Sequence, residues 1–495
     1  MNDTLEALRA LQKKLYALQY AKNTIDYDES TVAPAESYTG RGEALAVLTG
    51  LEYDLLAGPE LETLLAAAGR QALDTQAAAE VRELARRRGE VCRIPADEYA
   101  AFAGLVSEAK SIWQKAKRTN DFALFAPYLT RIVESRRRFA AYFDPNKAPY
   151  DVWLDQYEPG LDMVQCDAFF GQLKAVLQPL VRRIAAAPPA LRLPAGPWPL
   201  ADQRRLSDAV MALLGIDRAH CQIGESAHPF TTEFYKGDVR ITTHYHENDI
   251  LSSFFSVVHE SGHALYELHT ADRLKYTCLA SGASMGLHEG QSRLYENYIG
   301  RSLPFLKALW PTFIQLFPSQ LQGWTVHDLY RAANASAPGL IRTEADEVTY
   351  CLHIMVRYAL EKRLMDGSLA VADLPDAWNA QMKELLGLDV PDNARGVLQD
   401  IHWACGDIGY FPSYALGTAY AAQIMAALRR ALDVDALLEK GDLGPINAWL
   451  AEHIWQYGKE KTPAELLQNA CGAPFDPKFY TEYLTEKYTK LYNLE

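Results

Sequence analysis

Apolar residues recur at helical spacing through most of the chain. Near the N-terminus, Leu5, Leu8, Leu11 and Leu15 fall on one side of a helical repeat. The stretches 64–88 (LLAAAGRQALDTQAAAEVRELARRR) and 125–143 (FAPYLTRIVESRRRFAAYF) continue that pattern, with Arg and Glu forming a solvated opposite face. Asp144-Pro145-Asn146 stops the second of these. Glu158-Pro159-Gly160 predicts a turn, and the next helix is expected to run through Ile184. Residues 185–200 hold five prolines and read as a linker, followed by a helix over 203–217. Beyond residue 300 the pattern is helical to the C-terminus, interrupted at Pro318, Pro338-Gly339, Pro391 and Pro412.

One region departs from this. PFTTEFY (229–235) and DVRITTHYH (238–246) are β-branched and aromatic, with Lys236-Gly237 between them, and predict a hairpin. Its edge is placed to pair with an extended peptide by strand addition. A strongly apolar helical stretch follows, NDILSSFFSVV (248–258) and ALYEL (264–268), with Asn248, Asp249 or Ser252 as its N-cap. The expected architecture is therefore mainly α with a small hairpin beside the 248–268 helix; the length of 495 residues suits two to three domains, but large helical enzymes can form one body, and a single body over 1–495 is the reading taken. Within it, 1–186 forms an N-terminal helical part and 201–495 carries the chemistry.

Between the two halves of that helix stands HESGH, His259 to His263. Histidines four apart lie about 40° apart around a helix and one turn apart along it, so both imidazoles reach one ion. Glu260 falls on the flank, where its carboxylate can act on a water without ligating. Chance produces His-Glu-x-x-His about once in fifty chains of this composition, so the flanks decide, and a buried helix interrupted by polar groups is what a site looks like. Zinc bound by two His and one carboxylate keeps a fourth position open. His269 sits where one class of zinc peptidases has a third histidine, but Tyr266 replaces the glycine that turns the chain there. In a continuing helix His269 lies about 9 Å beyond His263 and points elsewhere. The third ligand is expected from GLHEGQSRLYEN (286–297), which offers Glu289 and Glu296. Glu289 is favoured, with His288 and Gln291 beside it to support the ligands and Glu296 nearly on the same face behind it.

Composition narrows the function classes. A net charge of −14 argues against nucleic acid and anionic membranes as partners. No apolar run has the length of a membrane span, and the first residues read as an amphipathic helix and not as a signal peptide. Seven cysteines, widely spaced and without a CxxC pair, suggest reduced thiols in the cytoplasm. Further clusters carry donors for a substrate. Arg240 lies in a strand beside the 248–268 helix, either as a sheet-surface ion-pair partner or as a functional group. Arg342 in IRTEADE offers a planar two-pronged donor for a carboxylate, against the alternative of a charged helix start. Tyr410 and Tyr414 in GYFPSYALG are candidate donors to an oxyanion, against the alternative of aromatic packing.

The ordered set HPF (His228 to Phe230), DVRIT, HESGH, HEGQ, IRTEAD and GVLQDIHW resembles the motifs of the thermostable carboxypeptidase Taq family of metallocarboxypeptidases. The resemblance implies a helical body with a deep central groove, like neurolysin and angiotensin-converting enzyme. It also implies a zinc or cobalt ion (manganese fits such donors too), a homodimer, and removal of single C-terminal residues with broad preference. By position, His259, His263 and Glu289 become the ligands, Glu260 the general base and acid, and Arg342 a holder of the substrate carboxylate; His228 and Arg240 fall in substrate-side motifs. Tyr27, in IDYDESTVAP, stands where the family commonly has tryptophan. A thimet-like endopeptidase shares the same helix and is the alternative reading; a non-catalytic peptide- or metal-binding protein would have no need of Glu260.

Overall fold

The computed structural model describes residues 3–494 and is mainly α-helical, with one three-stranded sheet among the described residues. The chain forms two compact units, each assembled from separate stretches. The first comprises residues 1–91, 192–333 and 421–475, and the second 92–191, 334–420 and 476–495.

In the first unit, α1 (Asp3–Thr31) and α2 (Thr75–Cys92) are long amphipathic helices. Leu8, Leu11 and Leu15 of α1 are buried together with Leu56, Leu61, Ala68 and Leu84, the stripe expected from their spacing. Leu5 packs at the margin of that cluster. The sheet consists of β1 (Cys221–Glu225), β2 (Thr231–Tyr235) and β3 (Asp238–Thr243) in the order β1-β3-β2. The antiparallel hairpin is as expected, with Thr231 opposite Ile241 and Thr232 opposite Arg240. Strand β1, parallel to β3, was not foreseen: its CQIGE has no alternation strong enough to stand out, and its register comes from pairing Cys221 with Val239.

Helix α3 (Ile250–Leu268) packs on β3 and on α4 (Met285–Arg293). Asp249 is its N-cap, accepting from the Ser252 amide. Gly262 makes the α3–α4 contact: a Cβ there would lie 2.7 Å from both the Gln291 carbonyl oxygen and the Ser292 Cα. Only a residue without a side chain lets α4 come this close. After Arg293 the chain continues into a π-helical turn, Leu294–Gly300.

In the second unit, the helices over Ala96–Thr119 and Phe122–Phe143 pack as a pair. Helix α5 (Tyr350–Asp366) is buried along most of its length, and residues 411–420 begin α6 (Phe411–Ala431). Glu361 of α5 is fully buried and accepts from Tyr150, Trp403 and the Gly409 amide.

Candidate metal centre

The α3–α4 contact brings His259, His263 and Glu289 together, with one ligand atom from each within 4.8 Å of the others. Oε2 of Glu289 lies 3.6 Å from Nε2 of His259 and 3.5 Å from Nε2 of His263. In a tetrahedral site with arms of about 2.0–2.1 Å, neighbouring donors stand about 3.3–3.4 Å apart. The set of two nitrogens and one oxygen therefore fits a divalent ion, with a further position left for water. Glu260 is not among these donors. Its Oε2 accepts from the Thr231 hydroxyl at 2.6 Å, so strand β2 fixes the direction of its carboxylate.

Each histidine is backed differently. Nδ1 of His259 is 2.9 Å from Oε2 of Glu296, the supporting acid expected from spacing. Arg293 spans the two acids, donating to Glu289 at 2.7 Å and to Glu296 at 3.1 Å, and Arg301 also donates to Glu296. Nδ1 of His263 is 2.6 Å from Nδ1 of His288, and Nε2 of His288 is 2.6 Å from Oε1 of the buried Glu267. With Nε2 of His263 turned to Glu289, its Nδ1–H donates to His288, which in turn donates to Glu267.

Burial works against charging the Glu289 carboxyl, but Arg293, His259 and His263 outweigh it and hold its pKa well below the usual range. Burial, helped by His288 and His259, outweighs Glu289 and drives His263 down to about 3, leaving a neutral imidazole suited to ligation. Burial raises Glu260, tempered by His259 and the Thr231 hydrogen bond.

Other candidates are placed as follows. His269 caps the end of α3, with Nδ1 at 2.7 Å from the Leu265 carbonyl and its ring against Trp455. Gln291 does not reach the ligands as anticipated; its amide oxygen accepts from the Trp455 indole, so it joins α4 to the following core. Arg240 is in a two-pronged pair with Asp238 and lies over the Phe234 ring, the sheet-surface alternative. His228 is exposed in the loop before β2, where its carbonyl accepts from Ser226. The edge of β2 is partly closed, because the Asn23 amide of α1 donates to the Glu233 carbonyl at 2.9 Å.

Arg342, Tyr410 and Tyr414 belong to the second unit. Arg342 and Arg357 share Asp400, each through two nitrogens. Arg342 also donates to Tyr350 and lies over the Tyr414 ring. The Tyr414 hydroxyl is 3.1 Å from Nε2 of His402, on which Tyr410 stacks.

A family model described as carboxypeptidase Taq (M32) metallopeptidase matches residues 7–488. The chain belongs to this family. It is a metal-dependent carboxypeptidase, a peptide hydrolase. Carboxypeptidase 1 of Bacillus subtilis (strain 168) is 37% identical over 491 residues, 98% of each chain. Thermostable carboxypeptidase 1 of Pyrococcus furiosus is 35% identical, covering 98% of this chain and 99% of the relative. The crystal structure of the M32 carboxypeptidase from Deinococcus radiodurans R1 superposes with a TM-score of 0.97 at 34% identity, over 99% of this chain and 100% of the other. Among the described residues of this M32 chain, no helix is long and apolar enough to cross a membrane, and all seven cysteines are free.

Thr231, Glu267, Arg293 and Arg301 were not singled out by sequence reasoning. Arg293 stands four residues after Glu289 and Glu267 four after His263, a spacing that shares a helix face and is readable in principle. Thr231 is different, because nothing local says that β2 crosses Glu260.

Proposed function

We propose that residues 1–495 work as one peptidase that removes single C-terminal residues from peptides with broad side-chain tolerance. The observation that carries this is the donor triangle of His259, His263 and Glu289, with Glu260 beside it and oriented by Thr231. A divalent ion held by the three donors supplies the Lewis acidity that makes water nucleophilic at neutral pH. Glu260 takes a proton from the attacking water and returns it to the leaving amine nitrogen. Thr231 holds one oxygen of Glu260, leaving the other for that transfer. Glu296 and the His288–Glu267 pair keep the Nδ1 protons of the two histidines away from the ligating nitrogens.

Arg342 is our choice for the group that takes the substrate carboxylate, supported by its planar donor set, and Tyr410 or Tyr414 for a donor to the oxyanion. The N, N, O donors suit zinc, with cobalt or manganese as substitutes. Free cysteines support a cytoplasmic setting, and the family resemblance supports a homodimer. The test is digestion of one peptide, C-terminally free and amidated, by metal-quantified protein with fragments read by mass. Loss of one residue from the free peptide and little cleavage of the amide is expected. Equal internal cleavage of both would instead make the protein an endopeptidase.

A further inference from the structure

Glu233 follows Thr231 by two residues on β2, on the same side of the strand and about 6.7 Å along it. Because Thr231 holds Glu260, Glu233 stands one strand repeat from the general base. Beside it opens a cavity of about 380 Å³, walled by α1, α2 and the 275–281 segment of the first unit. The wall carries several cations, and each is already paired, with Glu83 and Asp272 each serving two. Arg86 pairs with Glu83 and Glu90, Arg87 with Glu52, Lys236 and Lys275 with Asp272, and Lys459 with Glu83. No side-chain donor among the described residues reaches the carboxylate of Glu233. Burial and the nearby charge of Glu267 work against ionising this acid, and only its own backbone amide and the charges of His288 and Lys459 oppose them, so a cation entering the cavity would be held there.

Two more observations point the same way. Tyr276 at the cavity has φ 64, in the left-handed region, yet the residue is 40% exposed, with its ring leaning on Tyr16 at 4.9 Å. A tyrosine held in that conformation is a strain that persists where a site uses it. Asn23 already occupies the Glu233 carbonyl, so strand pairing along β2 ends there. A peptide running antiparallel to β2, with its cleaved bond near Thr231, must leave the edge at this point and turn into the cavity.

Building on the peptidase reading above, we propose that this cavity receives the part of the substrate upstream of the cleaved bond. It takes a cationic group on Glu233 between the tyrosine rings. That group is either the free N-terminal ammonium of a short peptide or a Lys or Arg side chain two or three residues before the cleaved bond.

The experiment uses the full-length, metal-loaded enzyme and tetrapeptides with one common C-terminal residue. One has a free neutral-sequence N-terminus, one is its N-acetylated form, and two acetylated forms carry Lys or Glu at the upstream positions. The wild type is expected to show kcat/KM about five- to tenfold higher for a cationic peptide than for the neutral acetylated one, and lower for the Glu peptide. Preference for the free amine alone identifies the terminus as the ligand; preference for acetylated Lys identifies the side chain. Glu233→Gln brings these ratios close to one and raises Tm, the opposite of what a structural acid would do. Ratios near one in the wild type, or ratios that survive in E233Q, overturn the subsite. Equal cleavage of all four peptides removes only this proposal, whereas no cleavage of any free-ended peptide removes the peptidase reading with it.

Discussion

Two buried ionic clusters, one in each unit, carry opposite surpluses. Around α3 and α4, four carboxylates (Glu260, Glu267, Glu289, Glu296) are met by two guanidiniums, Arg293 and Arg301. Around Asp400, two guanidiniums share a single carboxylate, and burial, with the help of those arginines, keeps His353 and His402 neutral, down to about 3 and about 4. Around the acids, burial holds His263 low, whereas Glu289 and Glu296 outweigh burial and raise His259; the acid surplus is matched by a cation. An excess of arginine is matched by an anion. In both places buried charge is held by geometry, and the residual sign states what chemistry fits.

The largest effect tests the acidic cluster. Glu289→Ala is expected to abolish metal retention, read by metal counting after dialysis, because two imidazoles alone lose the third corner of the triangle. Glu260→Gln should keep the metal and lose a thousandfold or so in kcat, the order that general-base loss produces; a metal-loaded E260Q with wild-type turnover would remove Glu260 from its role. Next is the arginine-rich cluster. Asp400→Asn leaves two buried guanidiniums facing each other without compensation and should destabilise by about 3–5 kcal/mol in urea titration. No change in the midpoint would mean that solvent already screens the pair.

Gly262→Ala sharpens the question of what holds the acidic cluster together. Its Cβ would meet backbone atoms of α4 at 2.7 Å, which a rotamer change does not relieve. A loss of about 1–3 kcal/mol is expected, with weakened metal binding because Glu289 moves with α4. Glu267→Gln is milder: it keeps the shape behind His288 but removes the charge, and metal affinity should drop about 10- to 100-fold by competition with a chelator. The smallest effect is in pH. Glu260 must be ionised to accept a proton, and burial raises its pKa. Activity should therefore fall as pH drops through a value above the ordinary glutamate range. An acid limb centred at or below that range would show the carboxylate to be better solvated than its burial implies.

Much of this was legible before folding was considered. The heptad-like leucines of α1, the proline-rich 185–200 stretch and the hairpin each follow from local chemistry, and each is found. His259, His263 and Glu260 are legible because helix geometry ties their directions to their spacing. Glu289 and Glu296 needed an argument about chain order, and Gln291 shows its limit. One residue further along α4 from the Glu289–Gly290 step, its side chain faces Trp455 and not the ligands. Strand β1 escaped because a short, mixed CQIGE acquires its identity only from Val239 to Thr243 beside it.

By itself the sequence determined the helical periods, the hairpin and the pair of histidines on one helix face, since these depend on backbone repeats of a few residues. The tertiary structure decided which carboxylate closes the triangle, that Thr231 holds the Glu260 carboxylate, and that Glu267 stands behind His263 through His288. Those contacts join residues 21 to 30 apart along the chain. Their existence depends on how closely two elements pack, here on the absence of a side chain at Gly262, a distance that no pattern along the chain encodes.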